Sequence, residues 1–142
     1  GERVEISLSG LTWTAYPVSM GNPHAVVFVD DVEALDLLRW GPRLEGAEVW
    51  PQGANIEFTQ VLDPEHLQVR VWERGAGPTL ACGTGACAAA VVAARQGLAQ
   101  NFGARGTLVS LPGGDLTIRV GSANRVLMIG PASRVFAGQI DI

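Results

Sequence analysis

The chain has 142 residues, 47% of them hydrophobic and 17% charged, with a formal charge of −4. That is one globular domain with enough length to bury a core; disorder is excluded, and no basic surface for nucleic acid or an acidic membrane is expected. No unbroken apolar run reaches the length of a membrane span and Gly1-Glu2-Arg3-Val4-Glu5 does not read as a signal peptide, so a cytoplasmic location is expected. Two cysteines are too few for a disulfide scaffold, whereas 18 glycines promise tight turns and backbone-lined sites.

In chain order, Glu2 to Ser9 alternates through Val4, Ile6 and Leu8, which predicts a strand with one buried face. After Gly10, Leu11 to Val18 is again strand-forming. Ser19-Met20-Gly21-Asn22-Pro23-His24 is a polar turn before the continuous buried strand Ala25 to Val29. Asp30-Asp31 is expected to cap a helix through Ala34 to Trp40, which Gly41-Pro42 weakens or ends. Asn55 to Val61 is a short strand. His66 to Trp72 alternates, with Leu67, Val69 and Val71 on one face; continued, that parity puts Glu73 on the apolar face and Arg74 opposite. A carboxylate on a buried face needs a partner or a task.

Ala86 to Leu98 has the alanine content of a helix and no polar face before Arg95-Gln96, so it is buried on all sides. Thr107 to Leu111, Leu116 to Val120, Val126 to Ile129 and Arg134 to Gly138 are spaced by turns as antiparallel strands are. About eight strands and two helices then predict an α+β fold of one domain over residues 1–142, a curved antiparallel roll wrapped around a central apolar helix.

The chemistry concentrates before that helix, in Glu73-Arg74-Gly75-Ala76-Gly77 and Ala81-Cys82-Gly83-Thr84-Gly85-Ala86-Cys87. Cys87 lies among alanines and reads as a small core side chain. Cys82 precedes the helix, where free N–H groups and the dipole stabilise a thiolate and lower its pKa. The N–H groups of Gly83, Thr84 and Gly85 can hold a carboxylate beside it. Cys82 and Cys87 are separated by roughly 7.5 Å of helical rise and roughly 140° of rotation, so they cannot flank one carbon atom from opposite faces. They make neither a ready disulfide nor a metal site. Arg74 has the fork for a substrate carboxylate and Glu73 can accept from an ammonium group or tune a thiol. Asn22-Pro23-His24 and Asn55 are by themselves ordinary turn and strand-end residues.

Taken together, Met20-Gly21-Asn22-Pro23-His24-Ala25-Val26, Asn55-Ile56-Glu57-Phe58 and the segment from Trp72 to Cys87 resemble the C-terminal half of the diaminopimelate epimerases, in order and over essentially the whole chain. The resemblance implies interconversion of LL- and meso-diaminopimelate, on the way to lysine and peptidoglycan, without pyridoxal phosphate, metal or other cofactor. It implies two cysteines on opposite faces of the α-carbon, one removing a proton and the other returning one. By resemblance Cys82 is one of the pair, and His24 and Glu73 support the cysteines. Asn22, Asn55, Glu73 and Arg74 meet the substrate, and Gly83 and Thr84 cradle its carboxylate. The family has two similar domains, and the N-terminal one, with the second catalytic cysteine, is not in this sequence. The expectation is an isolated domain with half a site, little activity alone, and an uncovered face able to pair with a second copy. The alternatives are a proline-racemase-like isomerase of another amino acid and a non-catalytic amino-acid-binding domain; a redox thiol is disfavoured because no Cys-x-x-Cys occurs.

Overall fold

The computed structural model describes residues 2–100 and 105–142. The strands are β1 (Val4–Leu8), β2 (Leu11–Ser19), β3 (Pro23–Phe28), β4 (Asn55–Asp63), β5 (His66–Glu73), β6 (Gly77–Thr79), β7 (Thr107–Leu111), β8 (Gly114–Val120) and β9 (Val126–Ile129), of which the short β6, within the Gly/Pro-rich stretch after Glu73, is not expected from the sequence. They form one sheet in the order β1-β2-β3-β4-β5-β7-β8-β9. The far edge of β5 is shared, with β7 beside its start and β6 beside its end.

The α+β roll is present, but its sheet is mixed. The β3–β4 and β5–β7 pairs are parallel and the rest antiparallel. Each parallel pair is separated in sequence by a helix, α1 (Leu37–Glu45) for the first and α2 (Gly83–Arg95) for the second. Parallel neighbours need such a crossover, whereas a tight turn can only reverse the chain.

Helix α2 is the axis of the fold. Every residue from Gly85 to Ala93 is buried, and the helix packs against β2, β3, β4, β5, β7, β8 and β9. Alanines let the sheet approach closely: Ala86, Ala89, Ala90 and Ala93 pack with Leu67, Val69, Val71, Val109 and Ile118, and Ala88 and Val92 with Val26. The helix begins at Gly83, three residues before the expected start, which makes Cys82 its N-cap. No helix among the described residues is long and apolar enough to cross a membrane.

Helix α1 covers the opposite face, where Trp40 and Leu44 join Ile6, Val27, Ile56 and Phe58. Its position departs from expectation. Asp31 caps only a turn, through the N–H groups of Glu33 and Ala34; Asp36 caps the helix, which then runs through Gly41 and Pro42. Packing overrides the breakers here. The Trp72 ring lies so close to Gly41 that a Cβ built there would fall 2.5 Å from it, so this glycine is what allows the helix to press onto β5. Strands β3 and β4 are thus buried on both faces. Arg134 to Gly138 forms no strand: residues 130–142 carry no helix or strand beyond β9.

Candidate active site

The mouth of α2 is where the ends of β3, β4 and β5 converge. Cys82 is extended, with φ −143°, and its side chain accepts from the Gly85 N–H at 3.3 Å. The thiol is buried, 7% exposed, with the Thr84 hydroxyl 3.8 Å away. Thr84 is exposed and Gly83 half-buried. By the geometry of a helix start, the Gly83 and Thr84 N–H groups have no intrahelical acceptor. The sulfur of Met128, on β9, lies over Gly83, 3.0 Å from a Cβ built there.

The parity drawn from Leu67, Val69 and Val71 holds for Glu73, which is half-buried and acts on the Cys82 thiol. Burial pushes that thiol above its ordinary value. The Gly85 N–H and the Thr84 hydroxyl act in the opposite direction, and Glu73 raises the pKa further, both by accepting from the S–H and by its charge. The lowered thiol pKa expected from the helix terminus is therefore not found. The N-terminal N–H group is in place, but desolvation and a neighbouring carboxylate outweigh it.

Asn55 joins three strand ends. Its amide donates to the Pro23 carbonyl at 3.1 Å and its Oδ1 accepts from the Arg74 N–H at 2.8 Å. The exposed Arg74 guanidinium folds back and donates to the Gln52 carbonyl. Glu45 secures the turn after β5 through the Gly75 N–H and the Trp72 indole, at 2.6 Å.

His24 is buried and stands between two partners. Its Nε2 is 3.0 Å from Asn22 Oδ1 and its Nδ1 is 2.6 Å from Glu57 Oε1. Burial holds the ring down at about 4; Glu73 opposes this shift and Arg74 adds to it, so the imidazole is neutral at pH 7. Burial pushes Glu57 well above the carboxylate range, against its own backbone N–H and with help from Glu73. Beside these residues is an open recess of about 470 Å³ lined by Ser19, Asn22, Pro23, His24, Trp50 and Gln52.

The structure thus gathers Cys82, Glu73 and Thr84 at the helix mouth, and Asn22, His24, Asn55 and Arg74 along the adjoining strand ends. Glu57 is the residue that sequence reasoning misses. The signal was available: Asn55, Glu57 and Thr59 share a face by the same alternation that singled out Glu73. Met128 arrives from a distant strand and no local pattern announces it. Cys87 is a buried core side chain of α2 with no hydrogen bond to these groups among the described residues, and burial raises its thiol pKa. Both cysteines are free. Among the described residues no three His, Cys, Asp or Glu side chains are grouped to hold a metal ion.

Comparison with known proteins adds two results. The sequence model described as diaminopimelate epimerase matches residues 16–135. The chain is 49% identical to the diaminopimelate epimerase of Acaryochloris marina, over 94% of this chain and 46% of the relative. For the Desulfitobacterium hafniense protein of the same name the identity is 51%, over 97% and 47%; for that of Synechocystis it is 50%, over 100% and 51%. The chain therefore spans about half the length of the curated relatives it matches. Among solved structures, the fold is similar to a phenazine biosynthesis protein of the PhzF family from Bacillus anthracis, at TM-score 0.54 and 18% identity over 82% of this chain and 37% of that one. It is also similar to a PhzF-family protein from Enterococcus faecalis, at TM-score 0.53 and 15% identity over 71% and 35%.

Proposed function

The chain belongs to the diaminopimelate epimerase family, and from that premise we propose that it supplies one half of an active site that inverts the α-carbon of diaminopimelate. The observation that carries this reading is the capping thiol of Cys82, held by the Gly85 N–H at 3.3 Å beside a helix mouth with unused N–H groups. In this chain burial keeps Cys82 protonated at neutral pH, so its resting role is the acid. A thiolate on the opposite face removes the α-proton and becomes a thiol. The carbon–hydrogen electron pair moves toward the substrate carboxylate, and the Gly83 and Thr84 N–H groups stabilise the charge that gathers there. The S–H of Cys82 then delivers its proton to the other face. Cys82 ends as a thiolate capped by Gly85, ready to act as base in the reverse direction.

The second thiol is assigned to residues outside these 142, because Cys87 is buried within α2, roughly 7.5 Å of rise and roughly 140° of rotation from Cys82. The reading makes residues 1–142 a single domain, with a domain bearing the other cysteine as its partner, and places it in the cytoplasm on the route to lysine. Glu73 and Arg74 take the distal ammonium and carboxylate groups of the substrate. For that, the Arg74 guanidinium leaves the Gln52 carbonyl, an exposed contact with little to hold it. Asn22 and Asn55 complete the polar wall. Protein thiols and N–H groups carry every step of this chemistry. The test is solvent-deuterium exchange with LL-diaminopimelate. The chain alone is expected to form no meso isomer; sustained inversion by the purified chain, free of host enzyme, overturns the reading.

A further inference from the structure

Glu57 has no task in the mechanism above, yet its side chain and that of His24 are both completely buried. It lies on β4 opposite Val26 of β3, and Oε1 approaches the first turn of α2 to 3.0 Å from a Cβ built on Gly85. It receives no N–H there, because the Gly85 N–H is given to Cys82.

With the His24 ring neutral, the chain of contacts Glu57–His24–Asn22 has two self-consistent polarities. In one, Glu57 is ionised, His24 carries its hydrogen on Nδ1, and Asn22 turns its N–H₂ toward Nε2. In the other, Glu57 is protonated and donates to Nδ1, Nε2–H donates to Asn22 Oδ1, and the Asn22 N–H₂ is left for another acceptor. Three observations separate them. The second oxygen of Glu57, Oε2, is buried without a hydrogen-bond partner among the described residues, which is costly for a carboxylate and much less so for a neutral acid. The charged group that faces Glu57 from β5 is Glu73, another carboxylate; it raises the Glu57 pKa. The α2 side contributes the uncharged thiol of Cys82.

We propose that Glu57 is a positioning residue, a buried neutral acid that fixes His24 as the Nε2–H tautomer and so obliges Asn22 to present its amide N–H₂ to a carboxylate of the substrate. The inference rests on the reading of diaminopimelate as substrate only in its last clause. Burial favours the same form, holding His24 at about 4 and Glu57 in its acid form. The consequence is specificity: Asn22 becomes a dedicated donor on the wall of the recess it lines, and a ligand offering a donor at that point is refused.

The test uses the chain labelled with ¹⁵N-histidine. Long-range proton–nitrogen spectra identify the tautomer of His24, with His66, bonded to Ser110, as internal reference. From about pH 5 to about pH 9, His24 is expected as the neutral Nε2–H form. Glu57→Gln should keep that form, because an amide N–H can replace the acid O–H as donor to Nδ1; Glu57→Leu should lose it. Diaminopimelate titrated into the same samples should bind Glu57→Gln within about twofold of wild type and Glu57→Leu at least about tenfold more weakly. A His24 found as the Nδ1–H form or as imidazolium at pH 7 overturns the proposal, as does a Glu57→Leu protein with tautomer and binding unchanged. If the leucine variant does not fold, the wild-type and glutamine spectra decide. If wild type binds no diaminopimelate, the substrate assignment fails, while the ring spectra still decide the role of Glu57.

Discussion

Cys82 Sγ and Glu57 Oε1 flank the same glycine: a Cβ built on Gly85 lies 3.1 Å from the sulfur and 3.0 Å from the carboxyl oxygen. The thiol at the helix mouth and the acid beneath it are therefore packed through one residue that has no room for a side chain. Gly85→Ala is expected to destabilise the protein by about 1–3 kcal/mol, because neither buried group can retreat without losing its partner. Gly83→Ala meets only the flexible end of Met128 and should cost less than about 1 kcal/mol. Chemical denaturation of the two variants checks the contrast.

The two cysteines should respond oppositely to serine. Cys82→Ser puts a strong N-cap residue at an N-cap position, so stability should stay within about 1 kcal/mol of wild type. Cys87→Ser buries a hydroxyl in the alanine core and should cost about 1–3 kcal/mol, leaving Cys82 open to alkylation. Denaturation midpoints together with mass-spectrometric mapping of the alkylated site separate the two effects.

Alkylation of Cys82 by iodoacetamide should be slow at pH 7 and accelerate above pH 9, since the thiol is held above its ordinary value of 9.0 and only the thiolate reacts. Glu73→Gln removes the negative charge and the acceptor that favour the S–H form. The rate at pH 7 should then rise and the pH profile shift to lower pH. An unchanged profile in Glu73→Gln would separate Glu73 from the thiol.

The buried His24–Glu57 pair sets a pH dependence of stability. Folded, it holds one proton. Unfolded, with ordinary values of 6.5 and 4.5, it also holds one between those two pH values, so its contribution is flat there. Above pH 6.5 the unfolded pair loses that proton while the folded pair keeps it, so stability falls by up to about 1.4 kcal/mol per pH unit until Glu57 ionises. Below pH 4.5 the unfolded pair gains a second proton, but His24 follows at about 4, and little is lost. Glu57→Gln should abolish the decline above pH 6.5. Urea denaturation at a series of pH values tests this.

Much of the fold can be read locally. The alternation of Leu67, Val69 and Val71 gives β5 and carries Glu73 to the correct face, and the unbroken alanine and valine run gives a helix buried on all sides. What cannot be read locally depends on distant partners. Gly41 and Pro42 look like helix breakers until Trp72 is known to lie against Gly41. The parallel pairing of β3 with β4 appears only once α1 is seen to cross between them. Cys82 looks like an activated thiolate from its position at a helix start; its burial beside Glu73 reverses the direction of its shift. The alternation of Asn55, Glu57 and Thr59 marks Glu57 as inward-facing, but its partner His24 is a neighbour only across the parallel β3–β4 pair.

The proposed function turns on Cys82 passing a proton to or from the α-carbon of diaminopimelate. Joining this chain to the remaining half of the Synechocystis relative makes that step measurable, by following α-deuterium incorporation into LL-diaminopimelate in D₂O with mass spectrometry. Exchange and inversion are expected of the joined protein, and both should be lost in its Cys82→Ser variant. Inversion at an undiminished rate in Cys82→Ser would contradict the proposed role of this thiol.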